Sequence, residues 1–156
     1  MDGAHVDPMN PSAEHPRSCI FCSIVTGEDS KNAVLFQDED HVVFRDIHPA
    51  AKHHYLVIPK RHIKNPKCLT RADIPLVQKL VEVGKQVLQQ QGGSVESLRV
   101  GFHWPPFNSI QHLHLHVISP VEDLSFIGKV VYMPGSLWFC TAEDTVSYLE
   151  KMRPAT

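Results

Sequence analysis

Residues 112–118 read His-Leu-His-Leu-His-Val-Ile, a run in which three histidines alternate with apolar residues. Successive side chains of a β-strand point to opposite faces, so the run predicts a strand over His112 to Ser119 with one imidazole face and one apolar face. Neighbouring imidazoles on that face would lie about 6.6 Å apart, close enough for one phosphate group to lie among all three. The run therefore predicts a strand and a site on one of its faces.

The three imidazoles suit phosphoryl-group chemistry. Imidazole titrates near pH 6.5, so at neutral pH one ring can act as a nucleophile or base and another as a proton donor. His114 is the best candidate nucleophile, because it is flanked by histidines on both sides and a backbone carbonyl can fix its second nitrogen. On spacing alone, two alternatives stay open: an H-x-H zinc site with water as nucleophile, and a fortuitous run on an exposed strand.

Hydrophobic periodicity outside the run predicts the rest of a single domain. Helical spacing predicts three helices, which begin near Ile20, Asp73 and Thr141, the second being long. β-Branched and aromatic runs predict five strands, at 34–36, 42–44, 55–58, 99–103 and 112–119. We therefore predict an α+β fold: a mainly antiparallel five-stranded sheet with a long central helix and short terminal helices. Residues 1–17 are predicted to be a disordered tail, and residues 18–156 the domain.

Composition narrows the class of protein. The 15 Lys and Arg and 17 Asp and Glu give a formal net charge of -2, so a nucleic acid partner is not expected. No apolar run reaches the roughly 18 residues of a membrane span and no secretory signal is recognisable, so we expect a cytoplasmic or nuclear protein without a membrane partner. In a reducing compartment the four cysteines, at 19, 22, 68 and 140, are expected to be thiols or metal ligands.

The run and its surroundings resemble the histidine triad (HIT) family, whose signature is His-φ-His-φ-His-φ-φ with φ apolar. Residues 112–118 match it without a mismatch. Residues 54–63, His-Tyr-Leu-Val-Ile-Pro-Lys-Arg-His-Ile, and 19–22, Cys-Ile-Phe-Cys, are similar to the nucleotide-binding half and the opening helix of the Hint branch. The doubled histidine at 53–54 and the segment Gly-Phe-His-Trp-Pro-Pro-Phe at 101–107 are similar to a subgroup of that branch that is related to the aprataxin catalytic domain.

The resemblance implies the catalytic residues. His114 would be the nucleophile that becomes nucleotidylated, and His112 and His116 would order the site and contact the phosphate. His54 would complete the histidine cluster from a neighbouring strand. Ser109 would offer its hydroxyl to a phosphoryl oxygen or to the leaving nitrogen.

The resemblance also implies the nucleotide-binding residues. Asp46 would accept hydrogen bonds from the ribose hydroxyls, a task that suits a carboxylate, although it could instead cap a turn. The other residues of the implied nucleotide site lie beside the ribose or the purine base, and they are Ile20, Phe21, Ile24, Phe44, Ile47 and Leu115. Several of these would be buried in this fold even without a ligand.

Two departures from the Hint pattern and one cysteine pair complete the prediction. Residues 107–109 read Phe-Asn-Ser where Hint members have Gly-Gln-Ser, and no Trp-Pro-Pro-Gly ending follows the run. In some relatives a pair matching Cys19 and Cys22 completes a zinc site with histidines matching His62 and His112. The two cysteines could equally be small buried apolar residues.

The resemblance implies a purine nucleoside phosphoramidase, a hydrolase that acts on adenosine or guanosine 5'-phosphoramidates and acyl adenylates through a covalent nucleotidyl-histidine. No cofactor would be required for catalysis, and a structural zinc is the one metal considered. A homodimer or larger homo-oligomer, paired through the long helix, is expected. Two alternatives are a nucleotide-binding regulatory or scaffold protein with weak catalysis and an aprataxin-like enzyme that removes adenylate from DNA ends.

Overall fold

The computed structural model describes residues 18–27 and 33–153, so the predicted tail at 1–17 lies outside the described residues. The strands in the described part are β1 Val34–Gln37, β2 His41–Arg45, β3 His53–Pro59, β4 Arg99–His103, β5 Leu115–Ser119 and β6 Phe139–Thr141. They form one antiparallel sheet in the order β1-β2-β3-β5-β4-β6. The α+β class and the antiparallel sheet are confirmed, but the predicted count of five strands was wrong. β6 was missed because three residues are too few to show an alternating pattern.

The helices of the described part are α1 Ile20–Val25, α2 Ile74–Gln90, α3 Phe126–Val131 and α4 Ala142–Glu150. α2 is the predicted long helix, and a short turn before it has a capping box in which the Asp73 carboxylate accepts the Thr70 N–H. The helix ends before Gly92, whose φ of 86° is left-handed. Among the helices described, none has both the length and the apolar composition that crossing a membrane requires.

The two faces of the sheet have different partners. Tyr55 and Val57 of β3 and Val117 of β5 pack against α2 in the main apolar core. Gly84 allows this approach, because a Cβ there would lie 2.7 Å from Cγ2 of Val117. Leu56 of β3 belongs to a second apolar cluster, which α1 shares on the opposite face. Alternation along β3 therefore directs His54 to the α1 face.

β5 begins at Leu115, three residues later than predicted. The β3 ladder pairs Val57 with Leu115, and in this register Pro59 would face Leu113. Proline has no N–H to donate, so the ladder stops there, and Leu113 donates its N–H to the Ile63 carbonyl instead. The prediction that all three histidines of the run lie on one strand was therefore wrong, because the first two precede it.

Candidate active site

A cavity of about 410 Å³, called here the central cavity, opens on the α1 face of the sheet. Its lining combines apolar and polar side chains. The apolar side chains include Ile20, Phe21, Ile24, Phe44, Ile47, Leu56 and Ile110, and the polar ones include Asp46, His103, Ser109, His114, His116 and Tyr132. Ligand sites of proteins are typically apolar cavities with a few convergent polar groups of this kind.

His114 has the geometry of a neutral imidazole with one nitrogen fixed and one available. Its Nδ1 donates to the His112 carbonyl oxygen over 2.7 Å, so the lone pair of the neutral ring is on Nε2. Burial lowers the pKa of His114 despite this hydrogen bond, so the ring is uncharged at neutral pH. The Phe21 ring packs edge-on against it, with centroids 5.2 Å apart. A neutral, oriented imidazole of this kind can act as a nucleophile.

Three further imidazoles form a hydrogen-bonded series, called here the histidine chain. The Ala50 N–H donates to His54 Nδ1 over 3.0 Å, so the ring proton of His54 is on Nε2, which lies 2.9 Å from His116 Nδ1. At the other end the Val131 carbonyl accepts from His103 Nε2 over 3.0 Å. His103 Nδ1 is then the acceptor for His116 Nε2, 3.3 Å away. Both ends of the chain therefore assign the same tautomer, Nε2–H, to His116.

The rings of the histidine chain are neutral at pH 7. Burial lowers the pKa of His54 to about 4, although the nearby Asp46 carboxylate opposes this. Burial also lowers the pKa of His103, and it lowers that of His116 well below 6.5. The Tyr132 ring packs against all three, at centroid distances of 5.4 Å from His54 and 5.1 Å from His103 and His116. The histidine chain is therefore covered on one side by an aromatic ring.

Asp46 follows β2 and touches both a turn and the histidine chain. Its Oδ1 accepts the His48 N–H over 2.8 Å, so it does cap a turn. Its Oδ2 lies 3.3 Å from His54 Nε2 and 3.9 Å from His116 Nδ1. Because it also lines the central cavity, its remaining lone pairs can accept from a ligand hydroxyl. The turn and ribose interpretations of Asp46 are therefore compatible.

Two predicted contacts with the nucleotide were wrong. His112 does not line the central cavity; its Nε2 donates to the Pro59 carbonyl over 2.9 Å, and its Nδ1 faces Cys19 and Cys22. Its contribution to the cavity is the carbonyl that orients His114. Leu115 is fully buried in the core on the α2 face, because it alternates with the histidines on β5.

The other predicted nucleotide-site residues line the central cavity but differ in exposure. Phe21, Ile24 and Phe44 are buried, whereas Ile20 is 50% exposed and Ile47 is 74% exposed. Ser109 is also exposed at the rim. When a ligand binds, an exposed apolar side chain at a cavity mouth loses more water-accessible surface than one that the fold already covers. Its burial therefore contributes more hydrophobic free energy to binding.

His103 and Tyr132 are cavity residues that the sequence prediction missed. His103 comes from β4, where Gly101 pairs with His116, and one histidine on a mixed strand gives no periodic signal. The signal that could have found it is the pairing register of β4 with β5. Tyr132 follows α3, a helix of six residues that the periodicity did not reveal. Burial and the Asp46 charge raise the pKa of Tyr132 to about 12, so its phenol stays protonated.

Cys19, Cys22, His62 and His112 form a second group beside the central cavity, called here the thiol-imidazole cluster. Sγ of Cys22 lies 3.2 Å from Nδ1 of His62 and 3.4 Å from Nδ1 of His112, and the two Nδ1 atoms are 3.2 Å apart. A tetrahedral Zn²⁺ with bonds of about 2.0–2.3 Å needs ligand separations of about 3.3–3.8 Å. The residues therefore fit a four-ligand zinc site.

The outer hydrogen bond of His112 supports this fit. A metal-bound histidine usually donates its other N–H to a carbonyl or carboxylate, as His112 does to Pro59. Burial and Cys19 raise the pKa of the Cys22 thiol to about 12 in the absence of a metal ion. A bound cation reverses this preference, because a coordinating thiol loses its proton.

A further group, formed by Asp46, His54 and His116, has ligand atoms at similar distances but the wrong tautomer for a metal. The Ala50 N–H occupies the Nδ1 lone pair of His54, so Nε2, the atom that faces Asp46, carries the proton. A protonated nitrogen cannot coordinate. These three residues therefore form a hydrogen-bond network and not a metal site.

The fold and the cavity define an α+β domain with a histidine-lined cavity on one face of its sheet, and comparisons with known proteins identify the family. A sequence model of the family described as "Scavenger mRNA decapping enzyme C-term binding" matches residues 18–131. A solved HIT family hydrolase of Legionella pneumophila is 33% identical, with a TM-score of 0.60 over 65% of this chain and 91% of that chain. The chain belongs to the histidine triad family, which confirms the resemblance that the sequence indicated.

Curated relatives identify the subgroup. Adenosine 5'-monophosphoramidase HINT3 of Xenopus tropicalis is 45% identical over 134 residues, which are 85% of this chain and 88% of that protein. Aprataxin of Danio rerio is 31% identical over 74% of this chain and 36% of its own length. The predicted similarity to the aprataxin-related subgroup of the Hint branch is therefore confirmed.

Proposed function

We propose that this chain is a purine nucleoside phosphoramidase that hydrolyses adenosine or guanosine 5'-phosphoramidates and acyl adenylates through a nucleotidyl-His114 intermediate. The observation that carries the proposal is the neutral His114 ring, held by the His112 carbonyl with its Nε2 lone pair available beside the central cavity. The name of the Xenopus tropicalis relative supports the substrate class.

The cavity supports a definite arrangement of the substrate. The purine would lie against Phe21, Ile24 and Phe44, where a flat apolar ring gains from burial. The ribose hydroxyls would donate to Asp46, and the phosphoryl group would lie between Ser109 and His114. In this arrangement the Nε2 lone pair can attack phosphorus while the leaving amine points away from it.

The reaction would proceed in two displacements at phosphorus. In the first, Nε2 of His114 forms a bond to phosphorus as the P–N bond breaks and the amine takes up a proton. In the second, the oxygen of a water molecule forms a bond to phosphorus as the Nε2–P bond breaks and the water loses one proton, which balances the proton that the amine took up, and the nucleoside monophosphate is released. The covalent intermediate divides one difficult step into two easier ones.

Intact-mass measurement during turnover tests the proposal. With an adenosine phosphoramidate, the wild type should gain the mass of one adenylyl group, and His114→Ala should gain none. His53→Asn is the matched control, because His53 is a buried histidine that bonds Tyr55 on the α2 side. Equal slow turnover in wild type and His114→Ala, with both binding AMP, would favour the scaffold alternative. Turnover of adenylated DNA ends alone would favour the aprataxin-like alternative.

We also propose that the thiol-imidazole cluster holds one structural Zn²⁺ and that catalysis needs no cofactor. The ion would supply cross-links between α1, the segment after β3 and the start of the histidine run, and no step of the reaction passes through it. Cys22→Ser should contain less than a tenth of the zinc of the wild type by elemental mass spectrometry. Cys68→Ser, a change at an exposed cysteine outside the cluster, should retain it.

Self-association is a proposal from the resemblance, and location in the cytoplasm or nucleus is a proposal from the sequence composition. The exposed face of α2 bears Lys79, Glu82, Lys85 and Gln86, and its apolar face is covered by the sheet. A homo-oligomer would therefore have to use a polar α2 contact or another surface. Light scattering after size exclusion tests the oligomer, and imaging of the tagged full chain tests the location.

A further inference from the structure

A second cavity, of about 440 Å³, lies beside the central cavity and shares part of its wall. Ile20, Ser109 and Ile110 line both of these cavities. His114 lines the central cavity but not the second one. The two cavities therefore adjoin at Ser109 and not at the proposed nucleophile.

The proposed reaction directs the leaving amine toward this second cavity. In a displacement at phosphorus the attacking and leaving atoms lie roughly in line, so the leaving nitrogen is opposite Nε2 of His114. With the phosphoryl group between His114 and Ser109, as proposed above, the side opposite His114 is the Ser109 side. Substituents of the leaving amine would therefore extend past Ser109 into the second cavity, which has the volume of a typical small-molecule site.

The side chains of the second cavity favour a negatively charged ligand. Lys64 lines this cavity, and none of the lining residues is an Asp or a Glu. Within residues 18–27 and 33–153, no carboxylate forms an ion pair with Lys64. Gln111 also lines the cavity and can donate from its amide. An ammonium group that has no carboxylate partner attracts an anionic group of a ligand.

We propose that the second cavity is the subsite for the leaving group and that Lys64 selects amines that bear a carboxylate. This inference rests on the function proposed above. In such a substrate the phosphoramidate nitrogen belongs to an amino acid, and the flexible four-carbon stem of Lys64 can follow the position of its carboxylate. The bonds that form and break are those of the two displacements, and the amine leaves with its carboxylate still ionised. The contribution of Lys64 therefore ends when the P–N bond breaks.

A pair of substrates that differ in one charge tests the proposal. AMP joined through nitrogen to β-alanine carries the carboxylate, and AMP joined to β-alaninamide carries a neutral amide of nearly the same shape. Lys64→Met should lower kcat/KM for nucleotidylation by about fivefold with the first, the size of an ion pair at a partly exposed site. It should change kcat/KM with the second by less than about twofold.

Two further variants sharpen this comparison. Lys64→Glu should lower kcat/KM for the β-alanine substrate by about 20-fold, because it replaces an attraction with a repulsion between like charges. Lys67→Met changes an exposed lysine that does not line the second cavity, so it should match the wild type with both substrates. Equal losses with both substrates in Lys64→Met, or no loss with either, would overturn the role of Lys64.

A second readout separates recognition of the leaving group from a general effect on the site. The adenylyl-His114 adduct no longer contains the amine, so its hydrolysis in Lys64→Met should keep the wild-type rate. The zinc content of this variant should also equal that of the wild type, although Cys19 and His62 border the second cavity. Slower hydrolysis of the adduct, or a loss of zinc, would overturn the role of Lys64. Absence of any adduct in the wild type with either substrate would overturn the proposed function instead.

Discussion

Five histidines of the described residues form two groups on the α1 side of the sheet, His62 and His112 in one and His54, His103 and His116 in the other, and a backbone atom distinguishes the groups. In the thiol-imidazole cluster, the outer nitrogen of His112 donates to the Pro59 carbonyl, which leaves the inner nitrogen unprotonated for a cation. In the histidine chain, the outer nitrogen of His54 accepts the Ala50 N–H, which puts the proton on the inner nitrogen. Similar distances between side chains therefore give a group that fits a cation in one case and a hydrogen-bond network in the other.

His114 contacts one residue of each group, the His112 carbonyl and the His116 ring, so its removal should have the largest effect. His114→Ala is expected to lower kcat for an adenosine phosphoramidate by about 10⁴-fold or more, because the variant lacks the neutral ring whose lone pair attacks phosphorus. His112→Asn keeps the nucleophile and should lose less than about 100-fold. Steady-state kinetics on both variants check this. A larger loss for His112→Asn than for His114→Ala would indicate that His114 is not the nucleophile.

The thiol-imidazole cluster should matter more for stability than for chemistry. Cys22→Ser is expected to lower the free energy of unfolding of the zinc-loaded protein by about 4 kcal/mol, because the ligands that bind the ion are no longer complete. Denaturant unfolding checks this, with Cys68→Ser as the control. The p-nitrophenyl ester of AMP should still nucleotidylate His114 in the folded fraction of Cys22→Ser. If a chelator lowered the yield of this adduct per folded wild-type molecule, the ion would not be purely structural.

Acid should destabilise the protein through the histidine chain. Burial lowers the pKa of His54 to about 4, so between pH 6.5 and 4 the unfolded chain binds more protons than the folded one. Stability is then fully present above about pH 6.5 and falls as the pH drops toward 4, by about 3 kcal/mol from His54 alone. Melting temperatures measured across this range check the sign. His54→Gln should flatten the slope, and an unchanged slope would show that His54 is not neutral in the folded state.

Removing the Ala50 N–H should make the group formed by Asp46, His54 and His116 able to bind a metal ion. In Ala50→Pro, His54 can carry its proton on Nδ1, so its Nε2 becomes able to coordinate with Asp46 and His116. We expect kcat to fall about tenfold, the equivalent of one hydrogen bond, and added Zn²⁺ to become a competitive inhibitor. Inhibition curves with and without zinc check this, with Ala50→Ser, which keeps the N–H, as the control. Equal zinc inhibition of the control and the variant would refute the assignment of the tautomer.

Local sequence patterns predicted the parts of this site that the chain builds from neighbouring residues. The alternation of the run placed His114 and His116 near the cavity, and the α2 core followed from its helical periodicity. Leu115 was assigned to the nucleotide through the resemblance, whereas the same alternation directs it to α2. The start of β5 was wrong because the cause, Pro59, lies on another strand and acts through the ladder.

Residues brought in by long-range pairing could not be predicted in this way. His103 becomes part of the site through the register of β4 with β5, and its partner Val131 comes from a helix 28 residues further along the chain. The split of the histidine run into two groups depends on which backbone atoms face each ring. That information is a property of the assembled sheet and not of any segment of the sequence.

β6 has a consequence for how this chain tolerates truncation. Its three residues pair with Gly101, Phe102 and His103 and so occupy one edge of the sheet. A chain that stopped before Phe139 would leave these N–H and C=O groups of β4 unpaired, and an unpaired edge invites strand exchange between molecules. His103 is part of that edge and lines the central cavity, so aggregation and damage to the cavity would come from the same cut.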